Sequence, residues 1–194
     1  MPSFNTHIYS SAAIGAAGTA LGMSWQGWPW PVAALAGLAG LAGGMIPDLD
    51  SDTGRPVRIV GGLVSLVLTV GLVHVLLERL QEPLSAALVG AGLLILFNTV
   101  GIWLFKAVTR HRGMFHSLPA ALAYAAGLAA LFAPLGQGPA LGAAVVGLAG
   151  VLSHLILDAV FSLSPGPLKL WSNKARPSLL AWLVLAAMTA LAWT

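Results

Sequence analysis

The sequence predicts an all-α fold, a polytopic transmembrane bundle of about six to seven membrane helices. Three observations carry this reading. Of the 194 residues, 58% are hydrophobic and only 8% are charged, whereas soluble domains run at roughly 45–50% and about 25%. The mean hydropathy is +0.88. Apolar runs near the length of about 20 residues needed to cross a hydrocarbon core of about 30 Å recur along the chain. The length suits a single domain covering residues 1–194.

We read seven apolar segments: His7–Trp25, Val32–Ile46, Val57–Leu77, Leu84–Phe105, Ser117–Ala133, Ala140–Phe161 and Ser178–Trp193. The first is preceded by no Lys or Arg, so it lacks the basic n-region of a cleaved signal and is expected to persist as a helix. The second starts after the WPWP run at 28–31 and is expected to stop at Pro47. At about 22 Å of helical rise it falls short of a full crossing, which would sink the following acidic loop below the headgroups. Pro83, the stretch Pro134–Pro139 and the SPGP run at 164–167 punctuate the later segments. Small residues recur every three or four positions in AAIGAAGTALG and LAGLAGLAGG, a pattern that lets helix backbones approach closely in lipid.

Charge gives the orientation. With seven spans, Arg55, Arg58, Lys106, Arg110, Arg112, Lys169, Lys174 and Arg176 share one side, and Arg79 alone lies on the other. By the positive-inside rule the first side is cytoplasmic, with the N-terminus inside and the C-terminus outside. The membrane is expected to be a bacterial-type inner (cytoplasmic) membrane. The net charge of +3 and pI near 9.8 then read as topology control and headgroup contact, and no nucleic acid partner is expected.

In such a chain an ionisable group is costly to keep, so the few that remain point to function. Seven have metal-ligand chemistry: His7, Asp48, Asp50, His111, His116, His154 and Asp158. There are no cysteines, so a metal would be held by imidazole and carboxylate, which suits zinc, manganese or iron. The alternation of spans puts all seven on the Lys/Arg-rich side, where residues far apart in sequence can converge at one end of a bundle.

Each motif has its own logic. In IPDLDSD, residues 46–52, an extended loop would aim Asp48 and Asp50 the same way. Two close carboxylates repel unless a cation lies between them, although a solvated acidic turn would look the same. In RHRGMFHS, residues 110–117, Gly113 is expected to break the backbone so that His111 and His116 reach one site. Arg110 and Arg112 flank His111 and match phosphate geometry. Ser117 is expected to cap the following helix. In HLILD, His154 and Asp158 are four apart, share a helix face and can bind one ion, or simply bond to each other. His7 opens the first segment, where interfacial decoration is the plainer reading.

Two other patterns are set aside. His74 and Glu78 also stand four apart, but they fall toward the opposite side and read as an interfacial ion pair. Ser10, Ser11, Ser117 and Ser153 lie near histidines in sequence, but no G-x-S-x-G elbow accompanies them. A catalytic zinc takes about three protein ligands. Seven candidates therefore suit two or three ions, and clustered ions stabilise the attacking and leaving oxygens of a phosphoryl group.

The ordered set T-H-x-x-x-S at 6–11, G-x-x-P-D-x-D at 44–50, H-R-G-x-x-H-S at 111–117 and H-x-x-x-D at 154–158 resembles the YdjM-like membrane-bound metal-dependent hydrolases. PGPLKLW at 165–171 resembles that family's tail motif in a diverged form. The family is grouped by motif pattern with the phospholipase C and P1 nuclease type enzymes, which are α-helical and hold a zinc cluster. The resemblance implies metal roles for His7, Asp48 or Asp50, His111, His116, His154 and Asp158, and it implies phosphoester hydrolysis.

The expectation is a membrane-bound metal-dependent hydrolase acting on a lipid or amphiphilic phosphoester through metal-activated water. Arg112, with Arg110 or Lys174, would hold the phosphate. Asp50 would orient the water or bridge two metals. The alternatives are a divalent-metal transporter and a non-catalytic protein stapled by metal. A transporter would carry polar groups at mid-membrane in several helices, whereas here Asn98 and His74 are the main ones.

Overall fold

The structure is a computed structural model that describes residues 3–50, 55–80, 82–108 and 115–161. Every regular element among them is helical. The helices are α1 (Phe4–Ser24), α2 (Trp30–Gly43), α3 (Arg55–Leu80), α4 (Pro83–Leu96), α5 (Ile102–Val108), α6 (Leu118–Phe132) and α7 (Gln137–Phe161). A π-helical turn at Phe97–Gly101 joins α4 to α5, so the two form one rod. Among the described residues, four stretches are long and apolar enough to cross a membrane: Arg55–Arg79, Pro83–Ala107, Leu118–Leu135 and Gln137–Phe161. The seventh segment, 178–193, lies outside the described residues.

The first two segments depart from simple spans. The 21 residues of α1 are long enough to cross, but Asn5, Thr6, His7, Ser10, Ser11 and Thr19 dilute its apolarity. It starts at Phe4 rather than His7 because the Ser3 side chain caps it, accepting from Thr6 N at 3.3 Å. The 14 residues of α2 are fewer still. It ends at Gly43, ahead of the expected stop at Pro47, and the chain turns through Met45 N to Ala42 O (2.9 Å) and Ile46 N to Gly43 O (3.2 Å).

The chain divides into two compact units. The first contains α1, α2, α6 and α7. Here α1 and α2 run antiparallel with Gly15 against Gly37, backbone to backbone. The next contact is parallel, with Gly40 and Gly43 of α2 against Gly150 and Gly147 of α7. Gly147 in turn faces Leu128 of α6, which runs back along α7. These contacts explain the small-residue periodicity, because a side chain at such positions would hold the backbones apart. The core is correspondingly built of alanines, with Leu128, Phe132, Val151 and Leu155 filling the wider gaps. The Tyr124 hydroxyl donates to the Ala39 carbonyl at 2.8 Å and links α6 to the end of α2.

The second unit contains α3, α4 and α5. Asn98 links α3 to the α4–α5 rod: its Nδ2 donates to Ser65 Oγ at 2.7 Å, and also to the Leu94 carbonyl of its own helix at 2.8 Å. The π-turn carries Asn98, and side chains that insert into a helical ladder commonly accompany such turns. Replacing Asn98 by leucine is expected to lower stability by about 0.5–1.7 kcal/mol, the range of intramembrane hydrogen bonds. Thermal unfolding in detergent reads this, and an unchanged midpoint would mean that apolar packing alone pairs α3 with α4.

Candidate metal centre

The site forms at one end of the first unit because of chain direction. The start of α1, the end of α2, the start of α6 and the end of α7 all lie there, and they carry His7, Asp48, His116, and His154 with Asp158. Five of the seven predicted ligand-type residues therefore share one cluster. For the other two, the Asp50 side chain and all of His111 lie outside the described residues, as do Arg110, Arg112 and Lys174.

Three buried histidines surround two carboxylates. His7 Nε2 lies 3.3 Å from Asp158 Oδ1. His116 Nε2 lies 3.5 Å from Asp158 Oδ2 and 3.7 Å from Asp48 Oδ1. His154 Nε2 lies 3.8 Å from Asp158 Oδ2 and 3.7 Å from Asp48 Oδ1. The His7 and His154 rings stack, with centroids 3.7 Å apart and planes 15° from parallel. The His116 ring meets His154 edge-on at 5.5 Å.

These spacings suit a cation. Direct charge-assisted hydrogen bonds close to about 2.7–2.9 Å, and none of these pairs does. Donor atoms at about 2.0–2.1 Å around a tetrahedral ion lie about 3.3–3.4 Å from one another, close to the 3.3–3.8 Å seen. Among the described residues, two triads bring their ligand atoms within 4.8 Å of one another, His7–His154–Asp158 and Asp48–His116–His154.

The protonation of His154 supports the same reading. Its Nδ1 lies 2.7 Å from the Gly44 carbonyl. A carbonyl only accepts, so Nδ1 carries the proton and Nε2 presents a lone pair. That Nε2 is buried and has no hydrogen-bond partner. An orphaned buried acceptor costs about 1–3 kcal/mol, and with two carboxylates facing the same atom a cation is the natural partner for it. His154 therefore has one atom to give, and the two triads that share it are alternatives at that atom. A second ion would have to be completed by other ligands.

Local geometry corrects one expectation. Pro47–Asp50 is a 3-10 turn rather than an extended loop. At three residues per turn, positions two apart on such a turn are separated by about 120°, unlike the same-side alternation of an extended loop. Asp48 alone reaches the histidines through a described side chain, 21% exposed. The turn forms because Pro47 follows Ile46 at the end of α2, and Asp48 N bonds back to Met45 O at 3.2 Å.

The remaining polar groups are structural. Ser10 Oγ and Ser11 Oγ each donate to the His7 carbonyl at 2.9 Å. Ser117 caps α6 as expected, accepting from Ala120 N at 3.5 Å. His74 and Glu78 form an exposed pair at 3.3 Å in the second unit, and exposed pairs contribute little. Gly44 was not assigned a role by sequence reasoning. A glycine ahead of an acidic turn gives no sign that its carbonyl holds a histidine.

No curated protein and no solved structure matches the chain. Residues 1–171 match the model of the YdjM inner membrane protein family. That stretch holds all four motifs, the helices long and apolar enough to cross a membrane and the histidine–aspartate cluster of the first unit, and the chain belongs to that family of multi-pass inner membrane proteins.

Proposed function

We propose that the protein is a metal-dependent hydrolase of lipid or amphiphilic phosphoesters. The observation that carries this reading is the convergence of His7, His116, His154, Asp48 and Asp158, from four separated stretches of sequence, into one buried donor set. His154 Nε2 with His7 and Asp158, or with Asp48 and His116, would hold a divalent cation, and the imidazole–carboxylate donor set suits zinc. When bound, such an ion supplies Lewis-acid polarisation of a phosphoryl oxygen and activation of water.

The chain's own residues do the rest. Asp158 and Asp48 present carboxylate oxygens 3.3–3.8 Å from the histidine Nε2 atoms, where they would share the ion as co-ligands. The His7–His154 stack holds both rings fixed, so the donor atoms are set before a ligand arrives. Proposed from sequence alone are Asp50 as a water-orienting carboxylate or metal bridge, and Arg112 as the phosphate-binding guanidinium.

The level of the site favours a substrate taken from the bilayer. At the far end of the first unit, Trp25 and Trp30 are 82% and 70% exposed on a turn without charges. Exposed tryptophans settle at headgroup level. Trp28 packs against Gly142 at that end, and His154 and Asp158 follow along α7 by about 18 Å and 24 Å of helical rise. With a core of about 30 Å, the cluster sits toward the opposite leaflet's headgroups, where lipid phosphates lie. The Lys/Arg asymmetry supports the cytoplasmic leaflet.

Purified protein is expected to hydrolyse a phospholipid or lipid phosphate only when loaded with a divalent ion. Chelator should abolish turnover, and restored zinc should recover it. Bound metal without hydrolysis of any lipid phosphoester would sink the hydrolase reading. Metal uptake into proteoliposomes would then favour a transporter, and a tightly held ion that is not transported would favour a staple.

A further inference from the structure

We infer that Gly44 is the positioning residue of the metal centre, acting through both its carbonyl and its missing side chain. The inference rests on the metal-binding part of the proposed function and concerns how the donor set is held. Gly44 follows α2 in a right-handed helical conformation, with φ −66° and ψ −13°, so the position does not require glycine for its backbone angles. Its requirement comes from space. A Cβ at Gly44 would run into Ser11 Oγ and Ser11 Cβ and would lie 3.2 Å from the His7 carbonyl.

Those are the atoms that set His7. Ser11 is fully buried and donates its hydroxyl to the His7 carbonyl at 2.9 Å, so the first turns of α1 are closed against the end of α2 at this point. The same residue turns its carbonyl the other way, to His154 Nδ1 at 2.7 Å. One glycine thus lies between the backbone of the His7 turn and the imidazole of His154. It sets the separation of the stacked rings, 3.7 Å between centroids. It also selects the tautomer that leaves Nε2 of His154 free as a donor. Asp48 follows four residues later, on the 3-10 turn Pro47–Asp50 that continues from the end of α2, so a displacement of Gly44 is passed on to that carboxylate. A purely structural glycine would affect folding without altering the histidine tautomer or the affinity for an ion.

The test uses the full chain in detergent with zinc alone as the probe. G44A is expected to bind zinc about 10–100-fold more weakly, the loss seen when partners behind metal ligands are removed. In metal-free protein, nitrogen-15 spectra should show His154 in the Nδ1–H tautomer in wild type and a mixture of tautomers in G44A. The double variant S11G/G44A removes the obstructing side chain while keeping the carbonyl, and it should regain most of the affinity. Wild-type affinity in G44A would overturn the inference. So would an S11G/G44A variant that folds and stays as weak as G44A. Should G44A not fold, the double variant decides alone, with near-wild-type affinity supporting the inference and a tenfold or greater loss overturning it. A wild-type protein that binds no zinc would sink the metal reading instead, and a change from the Nδ1–H tautomer to a mixture in G44A would then still show that the glycine positions the imidazole.

Discussion

Replacing His154 by alanine is expected to remove bound metal and all metal-dependent hydrolysis together. His154 is the most buried of the cluster, with no exposed surface, and it is the residue common to both possible triads. Its Nε2 faces Asp48 Oδ1 at 3.7 Å and Asp158 Oδ2 at 3.8 Å. Removing partners behind a ligand costs about 10–100-fold in affinity, so removing the ligand itself should exceed about 100-fold. The substitution also leaves the Gly44 carbonyl without its donor and opens a hole between α1 and α7. A buried acceptor without a partner costs about 1–3 kcal/mol, so a lower unfolding temperature should accompany the loss of zinc. Metal content by elemental analysis and zinc titration read the first effect, and thermal unfolding reads the second. Full zinc content with full activity in the variant would remove the central claim.

Gly150→Ala is expected to produce the largest loss of stability from a single added methyl group. The new Cβ would meet the Gly40 carbonyl oxygen, with the Gly40 carbonyl carbon at 3.0 Å. Both are backbone atoms of α2, so no flexible side chain can move aside. Overpacking of this kind costs about 1–3 kcal/mol, and α2 must shift away from α7 to relieve it. That shift carries Gly43, Gly44 and Asp48 away from His154, so zinc affinity should fall with stability. Gly92→Ala gives the internal comparison. Its Cβ would meet nothing within 4 Å, and alanine favours helix over glycine by up to about 1 kcal/mol. Thermal unfolding of the two variants should therefore move in opposite directions. Equal midpoints for Gly150→Ala and wild type would show that the α2–α7 backbone contact is not a fixed feature of the bundle.

Much of the architecture was legible in the chain because the bilayer imposes a local rule. Residues that cross hydrocarbon must be apolar and hydrogen-bond within their own segment, so hydropathy alone locates α3, the α4–α5 rod, α6 and α7. The small-residue stripes of α1 and α2 announced close packing without saying which helices meet. The π-turn at Phe97–Gly101 was not legible, because hydropathy is blind to one extra residue in a helical turn. The acidic segment is a 3-10 turn and not the extended loop its alternation suggests, because proline after a helix is equally compatible with both.

The sequence by itself determined which chemistry was on offer. It held histidines and aspartates in a cysteine-free apolar chain, and the spacing of His154 and Asp158 on one helix face follows from helical period alone. Only the tertiary structure decided which atoms meet. His7 and Asp158 are separated by most of the chain, yet they lie 3.3 Å apart because α1 and α7 run antiparallel through glycine contacts. Gly44 became a functional candidate only when its carbonyl was seen facing His154 Nδ1 and its α-carbon facing Ser11. Periodicity acts over a few residues and can be read along the chain. Convergence of ligands depends on how closely distant backbones approach, and in this protein glycines at the helix contacts set that approach.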